Sequence, residues 1–363
     1  MRIIEHTLTS LESVAAQWTD LSARADSPSL FNSWDWCHSW LESLDQDFRD
    51  QITVRLFVAT GASDQWLALA PCFTARIRRS GVPFNCLQFM GGGFGVNTIY
   101  RTEFNEALYD RSVARSELDE FYDAVFGSEG WDKLVLADVI NPALNSTIES
   151  QTQYRVRELE TDSAYCADLS SGFDAYLKAL SGSSRRQLFN KRKRLSEMGT
   201  VEVEQVTLND WNGFVETLNE FFRHRWNIKK MLSNQRQEFL TRLCERASIN
   251  DPKFAGSLLK LDGRAISGLV DLDYAGKRYN LMAGITPDAP AGVSPGLLHF
   301  GYSLEQAAAQ GITTYEFLIG KGKNENYKKN IANRELPART VGLVRSRWLR
   351  AVYAANDAMK RIF

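Results

Sequence analysis

The sequence has few of the residues from which disulfide frameworks and metal sites are built. Its five cysteines lie far apart and form no CxxC pair, and its four histidines form neither an HxxxH nor an HExxH pattern. A disulfide framework requires an even, clustered set of cysteines, and a zinc site requires closely spaced ligands. We therefore expect a reduced, cytoplasmic protein that binds no metal.

Long apolar runs and an excess of one charge are also missing. No stretch approaches the ~18 consecutive apolar residues of a membrane-spanning helix, and the N-terminus lacks the apolar segment of a signal peptide. The 43 basic residues nearly balance the 44 acidic ones, which leaves a net charge of −1. These absences argue against an integral membrane protein and against a dedicated DNA-binding protein.

The apolar residues that are present suffice for two globular cores. The chain has 363 residues, of which 44% are hydrophobic, and it includes 9 tryptophans and 20 phenylalanines. At roughly 150 residues per domain, this length predicts about two domains. The composition excludes a disordered or collagen-like chain.

The order of predicted elements is similar in the two halves. Each half has a helix, then strands joined by a tight turn, then a glycine-rich loop, with Gly61 and Gly263 in matching turns. The predicted helices cover residues 34–44 and 211–227; the predicted strands cover residues 52–59, 66–75, 255–261, 265–274 and 277–285. The pattern predicts a duplicated α/β fold with mixed sheets flanked by helices.

One strand–helix junction has the features of an anion site. The strand predicted at 277–285 leads through a loop to Ser294-Pro295-Gly296, where Ser294 can cap a helix and Pro295 suits its first turn. The N-terminus of a helix presents N–H groups and the positive end of the helix dipole. A pyrophosphate group binds well to such an end.

Several short motifs, in order along nearly the whole chain, resemble the CelD/BcsL-type acyltransferases of the GNAT superfamily. They are Phe31-Asn-Ser-Trp-Asp-Trp, the segment 176–195, His224-Arg-Trp226, Ser294-Pro-Gly-Leu-Leu, Gly311, Tyr315-Glu-Phe, Gly320 and Tyr327-Lys328. The resemblance implies tandem GNAT-like (acyl-CoA N-acyltransferase) domains related to the FemX-type aminoacyl transferases. We expect an N-terminal domain at 1–165, a C-terminal domain with the acyl-donor site at 166–344, and an amphipathic helix at 345–363.

The resemblance also implies a reaction and its substrates. Acyl-CoA is the expected co-substrate, and the acceptor is an amine or hydroxyl of a polysaccharide sugar or of a lipid such as a long-chain base. Two alternatives remain: an aminoacyl-tRNA-dependent transferase of the FemX type, and a non-catalytic partner in envelope polysaccharide or lipid assembly. The near-neutral net charge disfavours tRNA.

Candidate site residues follow from the resemblance and from the chemistry of acyl transfer, in which negative charge develops on the carbonyl oxygen. The resemblance implies that Lys328 donates a hydrogen bond to this oxyanion. Glu316 and His299 are candidate bases, although the family more often has Asp at the position of Glu316. The alternative is a surface lysine for Lys328, a structural ion pair for Glu316 and a packed core residue for His299. Ser294, Pro295, Gly296 and Tyr327 are expected to bind the donor.

Basic residues mark two further candidate surfaces. Arg185 and Arg186 open a basic run that ends at residue 194, and with Arg225 and Trp226 they are predicted to bind substrate; a solvated helix face is the alternative.

The segment 345–363 mixes basic and large apolar residues. It either contacts the inner membrane peripherally or packs on its own domain.

Overall fold

The computed structural model describes residues 1–79, 81–96, 100–226, 234–247, 252–320 and 323–360. The chain forms two compact units, one of residues 1–162 with 337–363 and one of residues 163–336. No helix in these described ranges is long and apolar enough to cross a membrane. The predicted mixed α/β fold is confirmed.

The first unit is built from an antiparallel hairpin sheet with one parallel crossover. Its strands are β1 (Arg2–Leu8), β2 (Ile52–Thr60), β3 (Trp66–Arg79), β4 (Val82–Phe89), β5 (Leu108–Tyr109) and β6 (Lys133–Val139). Its helices are α1 (Ala15–Arg24), α2 (Trp34–Glu42), α3 (Gln46–Arg49), α4 (Arg115–Gly127) and α5 (Pro142–Glu149). Strands β1 to β4 are antiparallel neighbours, and β4 pairs in parallel with β6 after α4 has crossed the sheet.

The second unit repeats this order. After β7 (Arg155–Asp168), its strands are β8 (Val201–Gln205), β9 (Lys253–Phe254), β10 (Ser257–Leu261), β11 (Arg264–Tyr274), β12 (Lys277–Ile285) and β13 (Thr314–Gly320). Its helices are α6 (Phe173–Ala179), α7 (Gly182–Arg185), α8 (Arg192–Ser196), α9 (Trp211–Trp226), α10 (Asn234–Ala247), α11 (Pro295–Ala309) and α12 (Lys323–Ile331). A π-helical turn, Arg186–Asn190, joins α7 to α8. Helix α11 is the crossover between the parallel pair β12 and β13.

Two further strands each follow one unit in the sequence but pair in the other. The end of β7 pairs antiparallel with β13, and β14 (Arg334–Val344) pairs antiparallel with β6. The predicted domain boundary after residue 165 falls inside β7. Residues 337–344, which were predicted in the C-terminal domain, belong to the first unit, because pairing with a distant strand leaves no local mark on the sequence.

The C-terminal helix α13 (Arg347–Lys360) packs on the first unit through one face. Leu349 on that face is buried, the hydroxyl of Tyr353 accepts a hydrogen bond from Nζ of Lys133 at 3.1 Å, and Asp357 pairs with Arg155 and Arg157. Trp348 and Val352 are exposed. The helix thus has a packed inner face and an apolar outer face.

Candidate active site

In the second unit, the two parallel strands diverge after three residue pairs. Strand β12 pairs with β13 only through Lys277–Tyr279, which face Thr314–Glu316. Just beyond this point each strand has one extra residue relative to its other neighbour, Leu281 in β12 and Phe317 in β13. Such bulges bend a strand and re-aim it. The two strands share no further backbone pairs, and we call this unpaired region between β12 and β13 the wedge.

Helix α11 begins where β12 leaves the wedge, and its first turn lacks a capping side chain. Ser294 occupies the N-cap position, but its hydroxyl does not bond to the helix, and the first turn has no acidic residue. Pro295 has no N–H, and the first intrahelical bond runs from the N–H of Leu298 to the carbonyl of Ser294 at 3.0 Å. The N–H groups of Gly296 and Leu297 therefore form the positive end of this helix.

The packing around position 296 explains why this residue is a glycine, which the sequence alone did not reveal. The sequence predicts Gly296 as a donor-binding residue, but Gly296 is buried, and a Cβ atom would lie 2.5 Å from Cδ1 of Ile285. The absence of a side chain at Gly296 makes room for the end of β12. A bulky substitution would therefore disturb the core before it disturbed a ligand.

The basic segment crosses α11 at close range. A Cβ atom at Gly301 would lie 2.0 Å from the carbonyl oxygen of Leu188, so only glycine permits this contact between helix backbones. Arg192 secures the crossing, since its Nη1 bonds to Glu305 at 2.6 Å and its guanidinium lies 3.9 Å from the centre of the Tyr302 ring. The crossing fixes the position of the basic residues along α11.

Arg194 lies beside the loop that precedes α11. Gly292 has a φ of +75°, and a Cβ atom on it would be 2.7 Å from the guanidinium carbon of Arg194. The Arg194 side chain is exposed. Arg194 thus adds a positive charge to the loop that leads into the positive end of α11, and both features attract phosphate groups.

Glu316 is the last residue of β13 that pairs with β12. Its side chain is largely buried, and burial raises the pKa of its carboxyl group, an effect that the nearby charges of Lys277 and Arg334 partly offset. A carboxylate with a raised pKa at the mouth of a cleft can accept a proton at neutral pH.

Lys328 lies against the diverging part of the same strand. Its Nζ donates a hydrogen bond to the carbonyl of Ile319 at 2.6 Å, which holds the ammonium group at the end of β13. Tyr327 turns the other way, and its ring stacks on Phe300 of α11 with centroids 6.2 Å apart. The structure therefore places Glu316 and Lys328 along one strand of the wedge, and Tyr327 in the packing of α11.

His299 does not lie in the wedge, and its predicted role as a base is corrected. The ring is fully buried, with Nε2 at 2.9 Å from Oγ of Ser257 and Nδ1 at 3.1 Å from Oγ of Ser267. Burial lowers the pKa of His299 to about 3. A neutral histidine bonded on both nitrogens in the core has no contact with a substrate.

Ser294 also stands in a sequence pattern of a different enzyme class. Residues 292–296 fit G-x-S-x-G, the nucleophile elbow of α/β hydrolases. An elbow needs a sharp turn directly between strand and helix, whereas here the loop 286–294 separates β12 from α11. His299 is held by Ser257 and Ser267, so it does not activate Ser294.

The four predicted substrate-binding residues lie on two helical segments. Arg185 is partly exposed and Arg186 is exposed, at the junction of α7 and the π-helical turn. Arg225 and Trp226 end α9, and their side chains lie outside the described part of the structure. The geometry therefore locates the two arginines and leaves the α9 pair as a prediction.

A buried polar network was missed at the sequence level. Asp271 on β11 is fully buried and accepts hydrogen bonds from Asn280, Ser303 and Tyr315. These residues are scattered over 45 positions of the sequence. The available signal was an aspartate in the middle of an apolar strand, a place where an unpaired charge is costly.

Comparison with known proteins adds to this geometry. Residues 182–329 match the family model described as an acetyltransferase (GNAT) domain. No curated protein sequence matches the chain. The fold is similar to the crystal structure of FemX, at 10% identity over 93% of this chain and 97% of the other, with a TM-score of 0.61.

Two further solved structures share the fold. One is the C-terminal domain of a putative lysylphosphatidylglycerol synthetase from Agrobacterium fabrum, with 13% identity, 96% coverage of both chains and a TM-score of 0.55. The other is L-PGS from Bacillus licheniformis, with 13% identity, coverage of 93% of this chain and 94% of the other, and a TM-score of 0.54. The chain therefore shares the fold of these structures, and its second unit contains the segment that matches the acetyltransferase (GNAT) domain.

Proposed function

We propose that the protein is an acyl-CoA-dependent acyltransferase whose donor binds in the wedge of the second unit. The observation that carries the proposal is the start of α11, which has no capping side chain and no acidic residue and follows a loop whose Gly292 lies against Arg194. These groups fit the phosphates of coenzyme A. The diverging strands leave a slot along β12 in which the extended arm of the donor can lie.

The chemistry of the transfer fits the residues along β13. Glu316 takes the proton from the attacking amine or hydroxyl, because burial raises its pKa toward the range useful at neutral pH. Lys328, held by the Ile319 carbonyl, stabilises negative charge on the carbonyl oxygen of the thioester. The bond between the acyl carbon and the acceptor forms as the bond to sulfur breaks, and the leaving thiolate of coenzyme A takes up the proton that Glu316 accepted, which restores the carboxylate.

The acceptor follows from the CelD/BcsL resemblance and from the basic segment. We propose a polysaccharide- or lipid-type acceptor, for example a long-chain base, in a cytoplasmic protein that contacts the inner membrane peripherally. Arg185 and Arg186 would bind phosphate groups of a phosphorylated acceptor or the 3′-phosphate of the donor, with Arg225 and Trp226 near the reacting end of the acceptor.

An aminoacyl-tRNA-dependent reaction is the second candidate. Two observations favour it: the similarity to the FemX fold and the basic segment, in which Arg186, Lys193 and Arg194 are exposed. A transfer RNA donor would place its phosphates on the same surface. A partner protein without catalytic activity would retain the fold and bind neither donor.

Two measurements separate these functions. Native mass spectrometry of the purified full chain should show an adduct with added coenzyme A, and a thiol-release assay should show turnover of acyl-CoAs with a panel of amines and hydroxyl acceptors. Co-purification of tRNA together with failure to bind coenzyme A would favour the aminoacyl-tRNA reaction. Binding of neither donor would leave the non-catalytic partner.

A further inference from the structure

A single buried carboxylate is bonded to all three elements that surround the wedge. Oδ1 of Asp271 accepts a hydrogen bond from Nδ2 of Asn280 on β12 at 2.7 Å. Oδ2 accepts one from Oγ of Ser303 on α11 at 2.7 Å and one from the hydroxyl of Tyr315 on β13 at 2.8 Å. Asp271 itself belongs to β11, so four elements meet at this one group.

The bonded residues flank the point at which the strands diverge. Asn280 comes directly after Tyr279, the last β12 residue that pairs with β13, and directly before the bulged Leu281. Tyr315 lies next to Glu316 and two positions before the bulged Phe317. The hydrogen bonds to Asp271 therefore hold both strands at the start of their bulges.

A second buried charge completes the network. Arg278 on β12 pairs with Asp273 at 2.6 Å and donates from Nη1 to both oxygens of Ser303. Burial raises the pKa of Asp271, while Arg278 and the three donors lower it. Because all three partners donate to Asp271, the network suits the ionised carboxylate. Partly broken polar networks in a core are costly, which makes such an arrangement rigid.

We infer that Asp271 is a positioning residue that sets the separation of β12 and β13 and so shapes the donor slot. This inference rests on the proposed function for its consequence in donor binding. Its structural part, the bracing of the wedge, does not depend on the identity of the donor. Asp271 touches no reacting atom, and it acts through Asn280, Ser303 and Tyr315.

Removal of one hydroxyl group tests the brace. Tyr315→Phe deletes the hydrogen bond to Asp271 and keeps the ring that packs against Phe300 and Phe317. Tyr122→Phe is the matched control, since Tyr122 in the first unit is also buried and its hydroxyl oxygen accepts a hydrogen bond from the N–H of Ala107 at 3.0 Å. Asp271→Asn is the second test variant, and it retains the size of the side chain.

The first readout is amide hydrogen exchange of the protein without ligand. We expect exchange to become at least ~10-fold faster in the peptides covering 280–285 and 317–320 for Tyr315→Phe, with no local change there for Tyr122→Phe. Unchanged exchange in both segments of a folded Tyr315→Phe protein would contradict the inference that Asp271 holds β12 and β13 in place. An equal acceleration across the whole second unit would overturn it too, because it would indicate a general loss of stability.

The second readout is the dissociation constant of coenzyme A, measured by calorimetry. We expect it to rise about 10-fold in Tyr315→Phe and to stay within twofold in Tyr122→Phe. Faster amide exchange near the wedge with an unchanged dissociation constant of coenzyme A would show that Asp271 does not shape the donor slot. If the unmodified protein binds no coenzyme A, the proposed function fails, and the exchange data still decide whether Asp271 braces the wedge.

Discussion

The two units have the same order of strands, but their crossover helices begin in opposite electrostatic environments. Helix α4 of the first unit carries Glu117 in its first turn, and the carboxylate accepts a hydrogen bond from the N–H of Ala114 at 2.9 Å. Helix α11 of the second unit has no acid in its first turn and has Arg194 nearby. An internal carboxylate neutralises the positive end of a helix and repels a phosphate group.

The two units also differ where their parallel strands stop pairing. In the first unit β4 pairs with β6 only as far as Val135, and Asn105 then takes up the edge of β6, exchanging two hydrogen bonds with the backbone of Ala137. In the second unit the last paired residue is the acidic Glu316, whereas Val135 is a buried apolar residue. In the first unit, Asn105 therefore occupies the edge of β6 at the position that corresponds to the wedge of the second unit. The two units therefore share a topology and differ at the two positions from which we propose the donor site.

The largest effect is expected from the acid that distinguishes the second unit. Glu316→Gln should lower kcat by about 10²–10⁴-fold, because the variant cannot accept the acceptor's proton. In the unmodified enzyme kcat should rise with pH through the pKa of Glu316, which burial places above the ordinary value. A pH–rate profile should lose this acidic limb in Glu316→Gln. Retention of the limb would assign the base to another group.

Lys328→Ala should lower kcat by about 10²–10³-fold if the ammonium group stabilises the oxyanion. The dissociation constant of the donor should change little, since the interaction forms only in the transition state. Lys329→Ala is the control, because Lys329 is an exposed neighbour paired with Glu335 at 3.8 Å. An effect confined to KM would instead make Lys328 a ground-state binding residue.

An acid in the first turn of α11 would make the second unit resemble the first. Leu297 occupies the position in α11 that Glu117 occupies in α4, the third residue after the N-cap. Leu297→Glu should raise the dissociation constant of coenzyme A by about 10–100-fold through repulsion at the phosphate site. Leu297→Gln has the same shape without the charge, and calorimetry of the two variants isolates the charge effect. Equal affinities would place the donor phosphates elsewhere.

The smallest expected effect concerns α13, which belongs to the first unit. Weak, salt-sensitive binding to anionic vesicles is expected, at about 1 kcal/mol for each basic residue near the surface. Because Leu349 is buried, deletion of the helix would expose core, so the test variant is Trp348→Ser with Val352→Ser on the outer face. Ala354→Ser with Ala355→Ser is the matched control in a vesicle co-sedimentation assay. Binding that survives the test variant would reject this surface as the anchor.

Local signals in the sequence were sufficient for most of the elements. The three- and four-residue spacing of Trp36, Trp40, Leu41 and Leu44 predicts a helix, and α2 buries the first three and ends before Leu44. The tight turn at Gly263 predicts the hairpin of β10 and β11, and Pro295 marks the first residue of α11. Such signals depend on periodicity, turn chemistry and capping, which involve residues a few positions apart.

The sequence by itself therefore determined the duplicated α/β order and the place of the helix start that we propose as the donor site. Only the tertiary structure decided that β7 and β14 each pair in the unit opposite to the one they follow in the sequence. It also decided that His299 lies in the core and that Arg194 lies beside Gly292. It also decided that Asp271 joins four elements. The physical reason is that these features depend on contacts between residues distant in the chain, and only the packed sheets and helices bring such residues together.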